Sequence, residues 1–155
     1  MINKQDICGR FFSCYGEYSR RGLAKLLGVS QPTVTEWSSG GRVPWIKLKY
    51  LSDSQGVSWD WLIDGLEPKL SRKKPRTPES TRPEFDAAPI NERFFSLFQP
   101  MSQSTIARTF EIAPASVHEW SSDKSRVPWN RLDYAVRHFG VRWDWLLDGV
   151  DPKYR

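Results

Sequence analysis

Leu23–Trp37 reads LAKLLGVSQPTVTEW, and the spacing inside it predicts two short helices joined by a tight turn. Ala24 is small enough for a second helix to cross closely above it. Gly28 can take the positive φ that turns the chain sharply. Leu23, Leu27, Val34 and Trp37 fall at three- and four-residue steps on either side of that turn, giving each helix one apolar face. Ser30 is a good N-cap, and Pro32 comes early in the second helix, where its missing N–H costs little. Helix, glycine turn and capped second helix together make a helix-turn-helix, with the second helix in the recognition position.

Working outward, the same module is written twice. Residues 11–39 align with 94–122 at an offset of 83, identical at 10 of 29 positions, and 42–69 align with 126–153 at an offset of 84, identical at 16 of 28. The one-residue shift falls in a loop, Gly40-Gly41 against Asp123-Lys124-Ser125, where an insertion is tolerated. Each copy reads as about five helices. In the first these are Asp6–Tyr15, a Ser19-capped helix to Leu27, Gln31–Ser38, a Pro44-started helix ended by Gly56, and a Ser58-capped WDWLID stopped by Gly65. No alternating strand pattern occurs, so the expected fold is all-α: two tandem five-helix domains, 1–70 and 86–155, joined by a linker at 71–85. That linker holds Pro75, Pro78 and Pro83, five basic residues and almost nothing apolar. It is expected to be partly extended and mobile. Sixteen residues can stretch to roughly 50 Å, beyond the ~34 Å between successive major-groove faces of a duplex.

The chain has 155 residues and a net charge of +5, with a pI near 9.4. With eight Trp and 39% apolar residues it can bury a core in each copy, and the basic excess suits a polyanionic partner. Residues 1–70 carry net +2, 71–85 net +3 and 86–155 net zero. Cys8 and Cys14 form neither a disulfide framework nor a metal spacing, and read as ordinary reduced thiols. The N-terminus lacks a signal-type apolar region and no run approaches a membrane span, so a cytoplasmic protein is expected. His118 and His138 have no ligand or nucleophile partners at useful spacing. No phosphate loop or nucleophile elbow is present. The reading therefore includes no catalytic residue, no metal and no cofactor.

At VSQPTVTEW, RVPW and GVSWDWLIDG, and again at APASVHEW, RVPW and GVRWDWLLDG, the sequence resembles the DNA-binding domain of lambda-type phage repressors. The resemblance covers each copy but not the linker. It implies a repressor-like helix-turn-helix fold that binds double-stranded DNA. Many such repressors carry a C-terminal dimerising, self-cleaving domain; nothing in this sequence corresponds to it, so inducible self-cleavage is not implied.

With Val34 and Trp37 inward, a 100° wheel turns Gln31, Pro32, Thr35, Glu36 and Ser39 toward the groove as candidate base contacts. The second copy offers Pro114, Ala115, His118, Glu119 and Ser122. Glu36 and Glu119 can accept from a cytosine amino group or pair with and orient an arginine. Candidate phosphate contacts are Arg20, Arg21, Thr33, Arg42 and Lys47 in the first copy. In the second they are Gln103, Ser104, Ser116, Arg126 and Arg131. Trp59, Trp61, Trp143 and Trp145 are candidate contacts between the domains. Residues i and i+2 lie about 200° apart on a helix, so one of each pair packs inside and the other faces out.

The reading that follows is a regulator in which one chain supplies a built-in pseudo-dimer on an imperfect palindrome, with further pairing into a homodimer open. The rival is an adaptor whose neutral second domain binds protein while only the first reads DNA. Glu111 and Ala113, standing where the first copy has its turn Gly and cap Ser, favour the rival.

Overall fold

The computed structural model describes residues 2–79 and 83–155. Among these it holds ten helices and no strand. The chain divides into two compact units, Met1–Phe85 and Asp86–Arg155. The first contains α1 (Lys4–Ser13), α2 (Arg20–Leu27), α3 (Gln31–Ser38), α4 (Trp45–Gln55) and α5 (Trp59–Asp64). The second contains α6 (Ala87–Ser96), α7 (Gln103–Thr109), α8 (Pro114–Ser121), α9 (Trp129–Phe139) and α10 (Trp143–Asp148).

The turn chemistry read from the sequence is present atom by atom in the first unit. Ser19, Ser30 and Ser58 accept from the backbone N–H of Gly22, Thr33 and Trp61 respectively, each satisfying one orphan donor of its helix. Gly28 ends α2 in the left-handed region at φ 64°. The first helix starts two residues earlier than expected because Asn3, not Asp6, caps it.

Each core is aromatic. Phe11 is fully enclosed and meets Trp37 edge-on, and Phe94 meets Trp120 in the same way. The Trp pairs divide as helix geometry requires. Trp59 and Trp143 have no exposed surface and pack against Trp45 and Trp129 of their own units. Their assignment as contacts between domains is therefore corrected: they are core residues. Trp61 and Trp145 remain partly exposed, each under an ammonium group, Lys69 Nζ at 4.8 Å and Lys153 Nζ at 4.6 Å.

Two features were not legible beforehand. After α5 the chain turns back and forms an isolated antiparallel bridge, Val57 with Leu70, repeated in the second unit as Val141 with Tyr154. One arginine also ties the first helix of each unit to the last. Arg10 donates to the carbonyls of Leu62 and Ile63 at 2.8 and 2.7 Å. Arg93 donates to those of Leu146 and Leu147, both at 2.9 Å. These are C-terminal carbonyls that no intrahelical N–H reaches, at the negative end of the helix dipole.

The expected linker is not free throughout. Ser71 N donates to Gly56 O at 2.7 Å, Arg76 N donates to Asp53 O at 2.8 Å, and the Lys73 ammonium pairs with the Asp53 carboxylate. Phe85 packs 5.7 Å from Trp59. Asp53 is 1% exposed and is also held by Lys49 at 3.1 Å. Burial alone would raise its pKa; the two ammonium groups outweigh that and hold it below the ordinary Asp value. The pair thus stabilises the fold above the carboxylate range and is lost only as acid protonates Asp53. Of the expected linker, 80–82 lie outside the described residues.

The second helix-turn-helix keeps its shape without two of its devices. Glu111 adopts φ +53° in the turn, a conformation strained for any residue but glycine. Ala113 offers α8 no side-chain cap. Glu111→Gly should therefore stabilise the second unit by about 1 kcal/mol, seen in calorimetry of the full chain as a rise in that unit's transition alone.

Candidate nucleic-acid interface

Helix α3 has eight residues, and only Val34 and Trp37 are buried. Every other side chain is displayed by that one-sided anchoring. Gln31, Pro32, Glu36 and Ser39 are exposed, and Thr35 is half-buried. The hydroxyl of Thr35 donates to Gln31 O at 3.2 Å and that of Ser39 to Thr35 O at 2.9 Å. These two can therefore offer an acceptor lone pair or a methyl outward, but their protons are engaged. In α8, Val117 and Trp120 are buried, leaving Pro114, Ala115, His118, Glu119 and Ser122 exposed. Ser122 repeats the back-bond, donating to His118 O at 2.7 Å. The two displayed faces agree at Glu and Ser and differ elsewhere.

The candidate phosphate contacts fall into three groups. Arg20 and Arg21 are exposed in the first turn of α2 and make no ion pair among the described residues. Like charges at the positive end of a helix dipole are unfavourable without an anion. Ser104 is likewise exposed, whereas the Gln103 amide donates to Ser121 Oγ at 2.9 Å, linking the start of α7 to the end of α8. Thr33 Oγ1 lies 2.7 Å from the cap hydroxyl of Ser30, and Ser116 is half-buried.

A second group leans on aromatic rings. Arg42 is exposed with its guanidinium 5.9 Å from the Trp45 ring centre. Arg126 lies closer over Trp129, at 4.4 Å, and burial pushes its pKa down. Arg131 covers the Phe110 ring at 5.0 Å.

Lys47 stands apart, and its assignment to phosphate is corrected. It is 3% exposed and donates from Nζ to Leu27 O at 2.7 Å. It spends its charge inside the unit, on the C-terminal end of α2. Arg131, at the equivalent place, meets a phenyl ring because Phe110 stands where the first unit has Leu27.

The junction after the recognition helix is built differently in the two units. In the first, the Cys8 thiol donates to Gly41 O at 3.3 Å. In the second, buried Asn91 donates to Trp120 O, Asp123 Oδ1 and Ser125 O and accepts from Val127 N. Asn91 thus fixes the end of α8 and the loop leading to Arg126. Both cysteines are free thiols, and burial raises the pKa of Cys14.

Residues 6–69 match the family model of the bacteriophage CI repressor helix-turn-helix domain. The match takes in α2 to α5 whole and all of α1 but its first two residues. The second unit lies outside it. No curated protein and no solved structure compared with the chain gave a match. No helix among the described residues is long and apolar enough to cross a membrane.

Lys47→Ala should destabilise the first unit by about 1.5–3 kcal/mol, the range for a hydrogen bond from a charged group, measured by denaturant titration. If Lys47 instead served an outside anion, stability would barely move.

Proposed function

We propose that the chain is a sequence-specific double-stranded DNA-binding regulator, acting as a phage-type repressor that occupies a promoter. The observation that carries this reading is the exposed face of α3, held outward by Val34 and Trp37 beside the uncompensated Arg20 and Arg21, within the segment that matches the repressor domain. Gln31 can bond adenine N6 and N7 in the major groove, and Thr35 can offer a methyl to thymine. Arg20, Arg21 and Arg42, with Arg126 and Arg131 in the second unit, supply sequence-independent hold on phosphates.

The second unit has the same helix order and displays the corresponding face of α8. In this proposal it reads the other half-site. Because Ala115 and His118 replace Pro32 and Thr35, the preferred operator is an imperfect palindrome. A specific observation favours the adaptor reading for this unit: the start of α7 carries Gln103 and Ser104 instead of two arginines, so its face is neutral and suits protein as well as DNA.

Selecting bound oligonucleotides from a random pool with the full chain gives the operator, and single exposed substitutions then assign the reading heads. Gln31→Glu should weaken operator binding tenfold or more, the equivalent of about 1.4 kcal/mol. Arg20→Ser with Arg21→Ser should weaken all sequences alike and lower the slope of log affinity against log salt by ~1–2. Ala115→Glu should match the Gln31→Glu loss if the second unit reads bases. An unchanged affinity for Ala115→Glu would make the second unit an adaptor, and failure of the chain to enrich any duplex would end the DNA reading altogether.

A further inference from the structure

We propose that residues 72–76 form a preformed phosphate-binding rail on the first unit, with Arg72, Lys74 and Arg76 as its contacts. The inference rests on the DNA-binding reading above and adds a site that neither recognition helix contains.

The sequence RKKPR places four cations in five residues. Left in solvent, such a run extends and samples many conformations. Here it is pinned at both ends, by Ser71 N on Gly56 O and by Arg76 N on Asp53 O. In the middle, Lys73 turns inward to the buried Asp53 carboxylate. Gly56 makes room for the segment: a Cβ there would lie 2.9 Å from Pro75 Cγ. One cation of the four is consumed by the dock. Arg72, Lys74 and Arg76 are exposed and have no ion-pair partner among the described residues. Held two residues apart, their Cα atoms are separated by at most ~7 Å, a spacing suited to neighbouring phosphates of one strand.

The dock belongs to the first unit alone. At the equivalent positions of the second, Asp53 is replaced by Arg137 and Lys49 by Asp133. Those two satisfy each other at 3.1 Å, and a Cβ on Gly140 would meet nothing within 4 Å. A segment whose only task was to join two domains would need neither a buried carboxylate to hold it nor three cations turned outward. Fixing the cations in advance removes the ordering cost that a floppy basic arm meets on binding. A row of like charges so fixed fits a polyanion with regular spacing, which among the partners considered is the duplex backbone.

The test uses the full chain and the selected operator duplex, with affinity measured across a salt series. Replacing Arg72, Lys74 and Arg76 together by Ser changes only exposed side chains. It should lower the slope of log affinity against log salt by ~2–3, at ~0.9 per phosphate released, and weaken every sequence equally. Asp53→Asn keeps all four cations and adds to the net positive charge, yet it should weaken binding at least threefold, because the rail is undone. If the wild-type chain binds its operator and the triple variant keeps the full salt slope, the rail is overturned while the DNA reading stands. Tighter binding by Asp53→Asn would overturn the preformed geometry, since loose cations would then serve better. Should Asp53→Asn fail to fold, the triple variant decides alone. If the wild-type chain binds no duplex, both readings fall together.

Discussion

The burial of Val34 and Trp37 beneath α3, and of Val117 and Trp120 beneath α8, is the constraint on which the rest depends. An eight-residue helix is too short to persist in water by itself. It exists here because one edge is locked into an aromatic core built on Phe11 or Phe94. Locking one edge determines what the opposite edge presents. The displayed residues form no core contacts of their own, so they can vary between the copies without unfolding either. That is why Pro32 and Ala115, or Thr35 and His118, occupy the same place on two faces of one shape.

The devices that close each unit are a second layer of the same logic. Arg10 and Arg93 fasten the first helix to carbonyls at the end of the last, and Lys47 fastens α4 to the end of α2. In each case a cation completes a helix end that backbone bonding leaves open. Such cations look, in a list of charges, like surface groups awaiting a phosphate. Only those left over, Arg20 and Arg21 above all, can act outside the fold. The charge available for a partner is therefore smaller, and more localised, than the net +5 suggests.

The copies also show how one element can be kept by different means. The second turn gives up glycine and its serine cap, and Glu111 takes the strained backbone conformation in their place. Asn91 adds four hydrogen bonds where Cys8 has one to Gly41. Losses at the start of α8 are thus accompanied by a firmer hold at its end. The apparent degradation of the second motif read from Glu111 and Ala113 describes only one side of that helix.

The sequence by itself determined the all-helical class, the repeat, the caps at Ser19, Ser30 and Ser58, and which edge of α3 faces outward. Each of these follows from local spacing or from one residue's backbone preference, and such preferences act within a turn or two of chain. What only the tertiary structure decided is where long side chains end. Lys47 and Arg131 are equivalent in the alignment, yet one is buried on a carbonyl and the other covers a ring, because Leu27 and Phe110 lie twenty or so residues away. Trp59 and Trp61 differ in fate because of what packs above them, and Lys73 differs from its basic neighbours because Asp53 meets it from another helix. Flexible side chains take their roles from partners distant in sequence, and a pattern read along the chain carries no record of them.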